Sequence, residues 1–264
     1  MKVGLFIPCY VDQFYPQVAI ATLELLEKMG CKVEYPTAQT CCGQPMANAG
    51  YASLTDGCNR NFIRNFHHFD FIVCPSGSCV LHIKEHLHDE TIQAKANDIR
   101  YKVFELTEFL TDVLKRTDVQ ASFPHKVGLH ISCHGQRMLH LSSTSEKVEP
   151  AFSKAETLLN QVQALKLLKT HREDECCGFG GTFCVTEEAV SVRMGRDRIR
   201  EHMLNEVEYI TGGDMSCLMH LEGILKRKQS PIAGPSKTAD IEQSLVVGAH
   251  GPIRLDVFII KDKN

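Results

Sequence analysis

Short apolar runs alternate with longer stretches of helical periodicity along this chain. Residues 2 to 7 read as a strand, and residues 16 to 29 read as a helix. Val18, Leu25 and Met29 recur on one face of that helix, Pro16 sits in its first turn and Gly30 stops it. Strand patterns return at 31 to 35 and at 69 to 74, on either side of a helical stretch at 47 to 66. Short helices are expected at 79 to 88 and 105 to 115, before a linker around 117 to 126. The second half repeats the plan: strands at 127 to 131, 164 to 168 and 207 to 210, helices near 150 to 160, 187 to 206 and 217 to 227. The stretch 187 to 206 is heavily charged and reads as a solvated outer face. Strand–helix alternation predicts an α/β fold with parallel sheets covered by helices on both faces. The tail from Ser230 is turn-rich, with two strand-like stretches within 244 to 260, and reads as a peripheral extension.

The pattern occurs twice. KVGLFIPC, residues 2 to 9, returns as KVGLHISC, residues 126 to 133. Each run ends on a cysteine, Cys9 or Cys133. Cys41-Cys42-Gly43 is matched by Cys176-Cys177-Gly178, and SCVLH, residues 78 to 82, by SCLMH, residues 216 to 220. Three matches in one order indicate duplication. The expected architecture is two duplicated Rossmann-like domains related by a pseudo-twofold, residues 1–120 and 121–229, followed by an extension at 230–264.

Composition sharpens this picture at one point. The chain has 264 residues and is 43% hydrophobic, enough for a buried core, which excludes a disordered chain. A net charge of -3 gives no footing for a broadly basic nucleic-acid binder. No apolar run is long enough for a transmembrane segment, and the first residues make a poor secretory leader, so a cytoplasmic location is expected. Structural disulfides are rare in that compartment, so twelve cysteines ask for another explanation, and metal ligation leads.

Neighbouring cysteine side chains diverge, which suits separate metal atoms of a cluster better than the corners of one small tetrahedron. A glycine after the pair permits a sharp turn and lets backbone N–H groups approach sulfur. Cys9, Cys41, Cys42 and Cys79 form one candidate thiolate set; Cys133, Cys176, Cys177 and Cys217 form the other. His82 and His220 each follow the last cysteine by three residues, on the same helix face, and can ligate or donate to a thiolate. Cys31 and Cys58 read as small buried hydrophobes, as do Cys74 and Cys184 with less separation from the motifs. Sulfur-rich sets select iron–sulfur clusters or zinc, and spacing alone does not fix nuclearity.

These motifs resemble the cysteine-rich CCG domain family, which includes the CCG-containing chain of heterodisulfide reductase and iron–sulfur subunits of glycolate oxidase and anaerobic glycerol-3-phosphate dehydrogenase. CPSGSC, CCGFGGTF and GDMSCLMH are most similar to the small stand-alone members found in L-lactate utilization operons. The resemblance covers about residues 1 to 226. It implies 4Fe-4S iron–sulfur centres, one or two, on the two cysteine quartets, with zinc as the option for one site. The fifth positions, cysteine in the heterodisulfide reductase chain, are His82 and His220 here, which argues against copying its noncubane cluster or its disulfide chemistry. The implied role is electron transfer in oxidation of L-lactate to pyruvate, beside a LutB-like iron–sulfur protein and a LutC-like protein. The small 2-hydroxy acid is then handled by the complex, with attachment to the inner membrane only through partners. The rivals are a thiol–disulfide or heterodisulfide reductase and a zinc-stabilised scaffold for redox partners. His134 and Arg137 are candidates for anion binding or cluster tuning, and GFGG, residues 178 to 181, for cluster support.

Overall fold

The computed structural model describes residues 1–89 and 91–229, and the backbone of one further strand at 254–255. The rest of the extension expected at 230–264 lies outside the described residues, as do the strand-like stretches within 244 to 260 apart from that strand.

Strands β1 (Lys2–Leu5), β2 (Lys32–Glu34), β3 (Phe71–Cys74) and β4 (Val103–Glu105) form one sheet in the order β2-β1-β3-β4. Strands β5 (Lys126–His130), β6 (Lys166–Leu168), β7 (Tyr209–Gly212) and β8 (Arg254–Leu255) form a second, in the order β6-β5-β7-β8. Every pairing is parallel, and both orders follow the same permutation. Val3 faces Val33 on one side and Phe71 on the other; Val127 likewise faces Leu167 and Tyr209. Parallel strands need crossovers, and helices supply them. In the first half these are α1 (Cys9–Phe14), α2 (Pro16–Lys28), α3 (Gln44–Asn48), α4 (Asp56–Phe66), α5 (Gly77–His86), α6 (Gln93–Lys102) and α7 (Leu106–Glu108). In the second they are α8 (Lys154–Leu159), α9 (Phe183–Thr186), α10 (Glu188–Leu204) and α11 (Met215–Gln229).

Several elements differ from the sequence expectation for local reasons. The stretch 47 to 66 is not one helix: Gly50 at φ 88 interrupts it, a 3-10 turn spans Ala52–Thr55, and α4 follows. Helix α6 and strand β4 follow no clear period, because α6 buries only Ala96 and Ile99 and β4 is three residues long. The stretch 105 to 115 holds α7 and a π turn over Phe109–Val113. Helix α8 is shorter than 150 to 160, and Ser153 caps it by accepting from the Glu156 N–H at 3.3 Å. Helix α10 exposes much of its charge, yet its inner face buries Ser191, Gly195, Arg198, Ile199 and His202.

The core joins the halves. Val3, Leu5 and Val18 belong to the same buried apolar cluster as Leu158, Ile210 and Leu221. A second cluster, centred on Phe6, Phe62, Phe66 and Phe69, fills the other side of the first sheet. The loops after β3 and β7, equivalent in the repeat, meet at an antiparallel Ser76–Asp214 bridge. The Gly77 N–H donates to the Gly213 carbonyl at 3.1 Å, and the Ser78 N–H donates to Asp214 Oδ2 at 2.7 Å. The Tyr15 hydroxyl donates to Glu222 across the same seam. No described helix is long and apolar enough to cross a membrane.

Candidate metal centres

Each cysteine quartet is assembled from three loci just beyond strand ends, where open α/β sheets place their sites. Cys9 starts α1 after Pro8, Cys41 and Cys42 lie in the loop beyond β2, and Cys79 sits in the first turn of α5. Cys9 Sγ lies 3.7 Å from Cys41 Sγ, and Cys42 Sγ lies 3.6 Å from Cys79 Sγ. In the second half the same chain of thiols runs Cys133, Cys176, Cys177, Cys217. All eight sequence-predicted thiols are therefore drawn into two groups. All twelve cysteines are free thiols.

The glycine of each CCG motif builds the turn. Gly43 has φ 92 and Gly178 has φ 88, in the left-handed region that a Cβ disfavours. A Cβ on Gly178 would also stand 2.6 Å from the Ser191 carbonyl oxygen. The turn aims backbone N–H groups at sulfur. Gly43 N donates to Cys41 Sγ and Gly178 N to Cys176 Sγ, both at 3.4 Å. Phe179 N donates to Cys177 Sγ at 3.4 Å, so the GFGG segment turns at least one amide toward the thiols.

In each half these donors favour ionisation of the first thiol of the doublet. Cys41 is held well below the ordinary thiol value because the Cys42 and Cys9 thiols donate to it; Gly43 N–H adds to this against the opposing effect of burial. Cys176 is lowered in the same way by the Cys133 and Cys177 thiols and by Gly178 N–H. The donors move the other way. Cys9 is raised by its hydrogen bond to Cys41 and by burial, and Cys133 by its bond to Cys176 and by burial. A cluster of thiols in which one is favoured for ionisation is suited to exchanging protons for a metal.

The histidines divide. His82 is buried beside the first group, its ring is hydrogen-bonded to the Cys42 backbone, and its Nε2 has no hydrogen-bond partner among the described residues. Burial holds its pKa down to about 4. His220 is near Cys176, but its Nε2 lies 3.3 Å from both the hydroxyl and the carbonyl oxygen of Ser191. The sequence pattern assigns these two histidines one role; their surroundings do not match.

A third histidine was not singled out by the motifs. His130, the last residue of β5, is buried, and neither ring nitrogen has a hydrogen-bond partner among the described residues. A ring nitrogen of His130 and the sulfurs of Cys177 and Cys217 all lie within 4.8 Å of one another. Burial and the Arg198 charge keep His130 neutral, with its pKa down to about 3. His202 on α10 lies next to it, pushed down to about 2 by burial, Arg198 and His130. Arg198 donates to Thr170 Oγ1 at 2.7 Å and to the Arg172 carbonyl. The signal was present in the repeat: KVGLHISC has His130 where KVGLFIPC has Phe6.

Other candidates take plain positions. Cys31 is in the shared core, and Cys74 is fully buried with its thiol 3.7 Å from the Ser76 carbonyl. Cys184 donates to the Gly181 carbonyl at 3.1 Å, and Cys58 packs behind the Gly43 turn. His134 opens a π turn, His134–Met138. Arg137 in that turn is paired with Glu146 at 2.6 Å and Asp174 at 3.9 Å, so its charge is already compensated.

Buried thiols, directed amides and unpartnered imidazole nitrogens fit a metal or metal cluster in each half. They define a duplicated α/β protein that gathers thiols at its sheet ends. A family model described as a cysteine-rich domain, CCG, matches residues 3–84 and again residues 127–222, and the chain belongs to that family. Among curated proteins it is similar to lactate utilization protein A of Geobacillus sp. (strain WCH70), 39% identical over 236 residues, which cover 88% of this chain and 95% of that protein. It is also similar to lactate utilization protein A of Macrococcus caseolyticus (strain JCSC5402), 40% identical over 232 residues, covering 86% of this chain and 91% of that protein. A solved periplasmic solute-binding protein from Actinobacillus succinogenes 130z with bound D-allose aligns over 86% of this chain and 74% of its own, at 7% identity and a TM-score of 0.26, too distant to bear on the fold.

Proposed function

We propose that this chain is the iron–sulfur electron-transfer subunit of an L-lactate oxidation system. The observation that carries this reading is the pair of thiol quartets, one in each half, each with two buried and two half-buried cysteines. The names of the relatives, lactate utilization protein A, supply the substrate. Cys9, Cys41, Cys42 and Cys79, with His82 beside them, are the residues to hold one centre. Cys133, Cys176, Cys177 and Cys217 are those to hold the other. An iron–sulfur centre, when bound, supplies one-electron transfer. The protein's own contribution is to bind, to exclude water and to direct amide hydrogens at sulfur, which favours the reduced state.

In this reading lactate loses two electrons and two protons to become pyruvate within a complex with a LutB-like iron–sulfur protein and a LutC-like protein. This chain carries electrons on. Residues 1–120 and 121–229 act as the two domains and 230–264 as a peripheral extension. The complex is cytoplasmic and meets the inner membrane through its partners.

The test begins with anaerobic isolation. A brown protein with iron and acid-labile sulfide is expected, and its centres should be reduced when lactate and the two partner proteins are added. A colourless protein carrying zinc supports the scaffold reading instead. Iron-loaded protein that lactate never reduces in the complete mixture, but that a disulfide reoxidises, supports the reductase reading.

A further inference from the structure

The repeat places His82 and His220 at one motif position, but the packing around them differs. Gly43 faces Thr55 in the first half, where Gly178 faces Ser191 in the second. The Thr55 hydroxyl donates to the Ala52 carbonyl at 2.7 Å, and His82 Nε2 has no hydrogen-bond partner among the described residues. Ser191 instead lies 3.3 Å from His220 Nε2 through both its hydroxyl and its carbonyl oxygen. The second half compensates from a different element. Phe6, on the first-half side of the repeat, packs edge-on against Phe62 at 4.9 Å and Phe66 at 5.7 Å. His130 at the matching position brings an imidazole to Cys177 and Cys217, and among the described residues neither of its nitrogens has a hydrogen-bond partner.

A fully buried imidazole with two idle nitrogens is costly unless something takes one of them. The sulfurs of two buried thiols, Cys177 and Cys217, lie within 4.8 Å of one of its nitrogens. From this we infer that the second centre takes its nitrogen ligand from His130 on β5, not from His220 on α11, and so has mixed nitrogen and sulfur ligation. The sequence repeat is thus broken in the ligand set: the first centre draws its histidine from the helix that carries its last cysteine, the second from the strand before its first cysteine. This rests on the electron-transfer reading above.

The test is pulsed electron paramagnetic resonance on the full chain, isolated anaerobically and reduced, carrying His82→Leu to silence histidine ligation in the first centre. A histidine nitrogen coupling is expected that changes when histidine alone is labelled with nitrogen-15. Adding His130→Cys, which offers a thiolate instead, should abolish the coupling while iron and sulfide stay at the parent level. Adding His220→Leu should leave the coupling in place. If the cysteine variant loses its second-half iron, the His220→Leu protein decides alone: persistence of the coupling supports His130, and its loss overturns the inference. Iron-loaded parent protein without any histidine coupling also overturns it, and leaves the electron-transfer reading standing. Parent and wild-type protein without iron overturn that reading, and this inference with it.

Discussion

Behind the first thiol quartet stands a layer of phenylalanines, Phe6, Phe62 and Phe66; behind the second stand His130, Arg198 and His202. The backbone plan is the same in both places. Gly4 leaves room for Phe66 and Phe69, and Gly128 leaves room for His202 and Val207. What differs is the dielectric and charge at the back of each site. A hydrocarbon layer offers a bound cluster no compensation for its negative charge. A buried guanidinium and neutral imidazoles favour the more reduced form. Duplication therefore supplied two equal frames, and side-chain replacement behind the thiols made them unequal.

The comparison is broken most severely by removing the thiolates themselves. Cys41→Ser and Cys176→Ser should each remove the centre of one half and leave the other, lowering iron per chain by roughly half. Metal analysis and the electron paramagnetic resonance spectrum check this, and equal loss from both halves in either variant would contradict independent centres. The glycine turns come next. Gly178→Ala meets both a positive φ and the Ser191 carbonyl, and should cost about 3 kcal/mol or more in stability. Gly43→Ala meets, beyond its φ, the side chains of Thr55 at 3.2 Å and Cys58 at 3.5 Å and no backbone, and should cost about 1–2 kcal/mol. Chemical denaturation of the reduced proteins ranks the two.

Stability against pH separates the halves by sign. Glu105, fully buried at the end of β4, has its pKa raised to about 7 from 4.5 by burial. The unfolded chain releases this proton first, so wild-type stability should fall as pH rises from 4.5 to about 7, by up to about 3 kcal/mol. Glu105→Gln should flatten that window. His202 acts the other way. It stays neutral in the folded protein while the unfolded chain takes up a proton below 6.5. Stability is therefore full above pH 6.5 and is lost as pH falls toward about 2, at about 1.4 kcal/mol per pH unit. His202→Phe, the residue type that fills this layer in the first half, should reduce the loss between pH 6.5 and 5 by about 2 kcal/mol. Urea titrations at several pH values read both effects, and an unchanged acid limb would show that His202 is not held neutral.

Much of this was legible in the residues. The triple recurrence of KVGL, CCG and SCxxH announced the duplication, and apolar runs ending at Cys9, Cys74 and Cys133 placed thiols at strand ends. The meeting of each quartet followed from that placement. Other features were hidden because they depend on packing rather than period. Helix α6 buries two side chains and leaves almost no stripe to read. His130 lies in an apolar run where a histidine is usually a core residue, and its significance is visible only once β5 brings it to Cys177 and Cys217. Arg198 and His202 sit in a charged segment whose solvated face masks the buried one. The difference between His82 and His220 turns on Ser191, a residue outside the motif that engages His220 Nε2.

Anomalous diffraction from crystals grown and held without oxygen locates metal most directly. At the iron edge, two peaks are expected, one among Cys9, Cys41, Cys42 and Cys79, the other among Cys133, Cys176, Cys177 and Cys217. Peaks at the zinc edge alone, or iron bound away from both quartets, would contradict the assignment of two iron–sulfur centres.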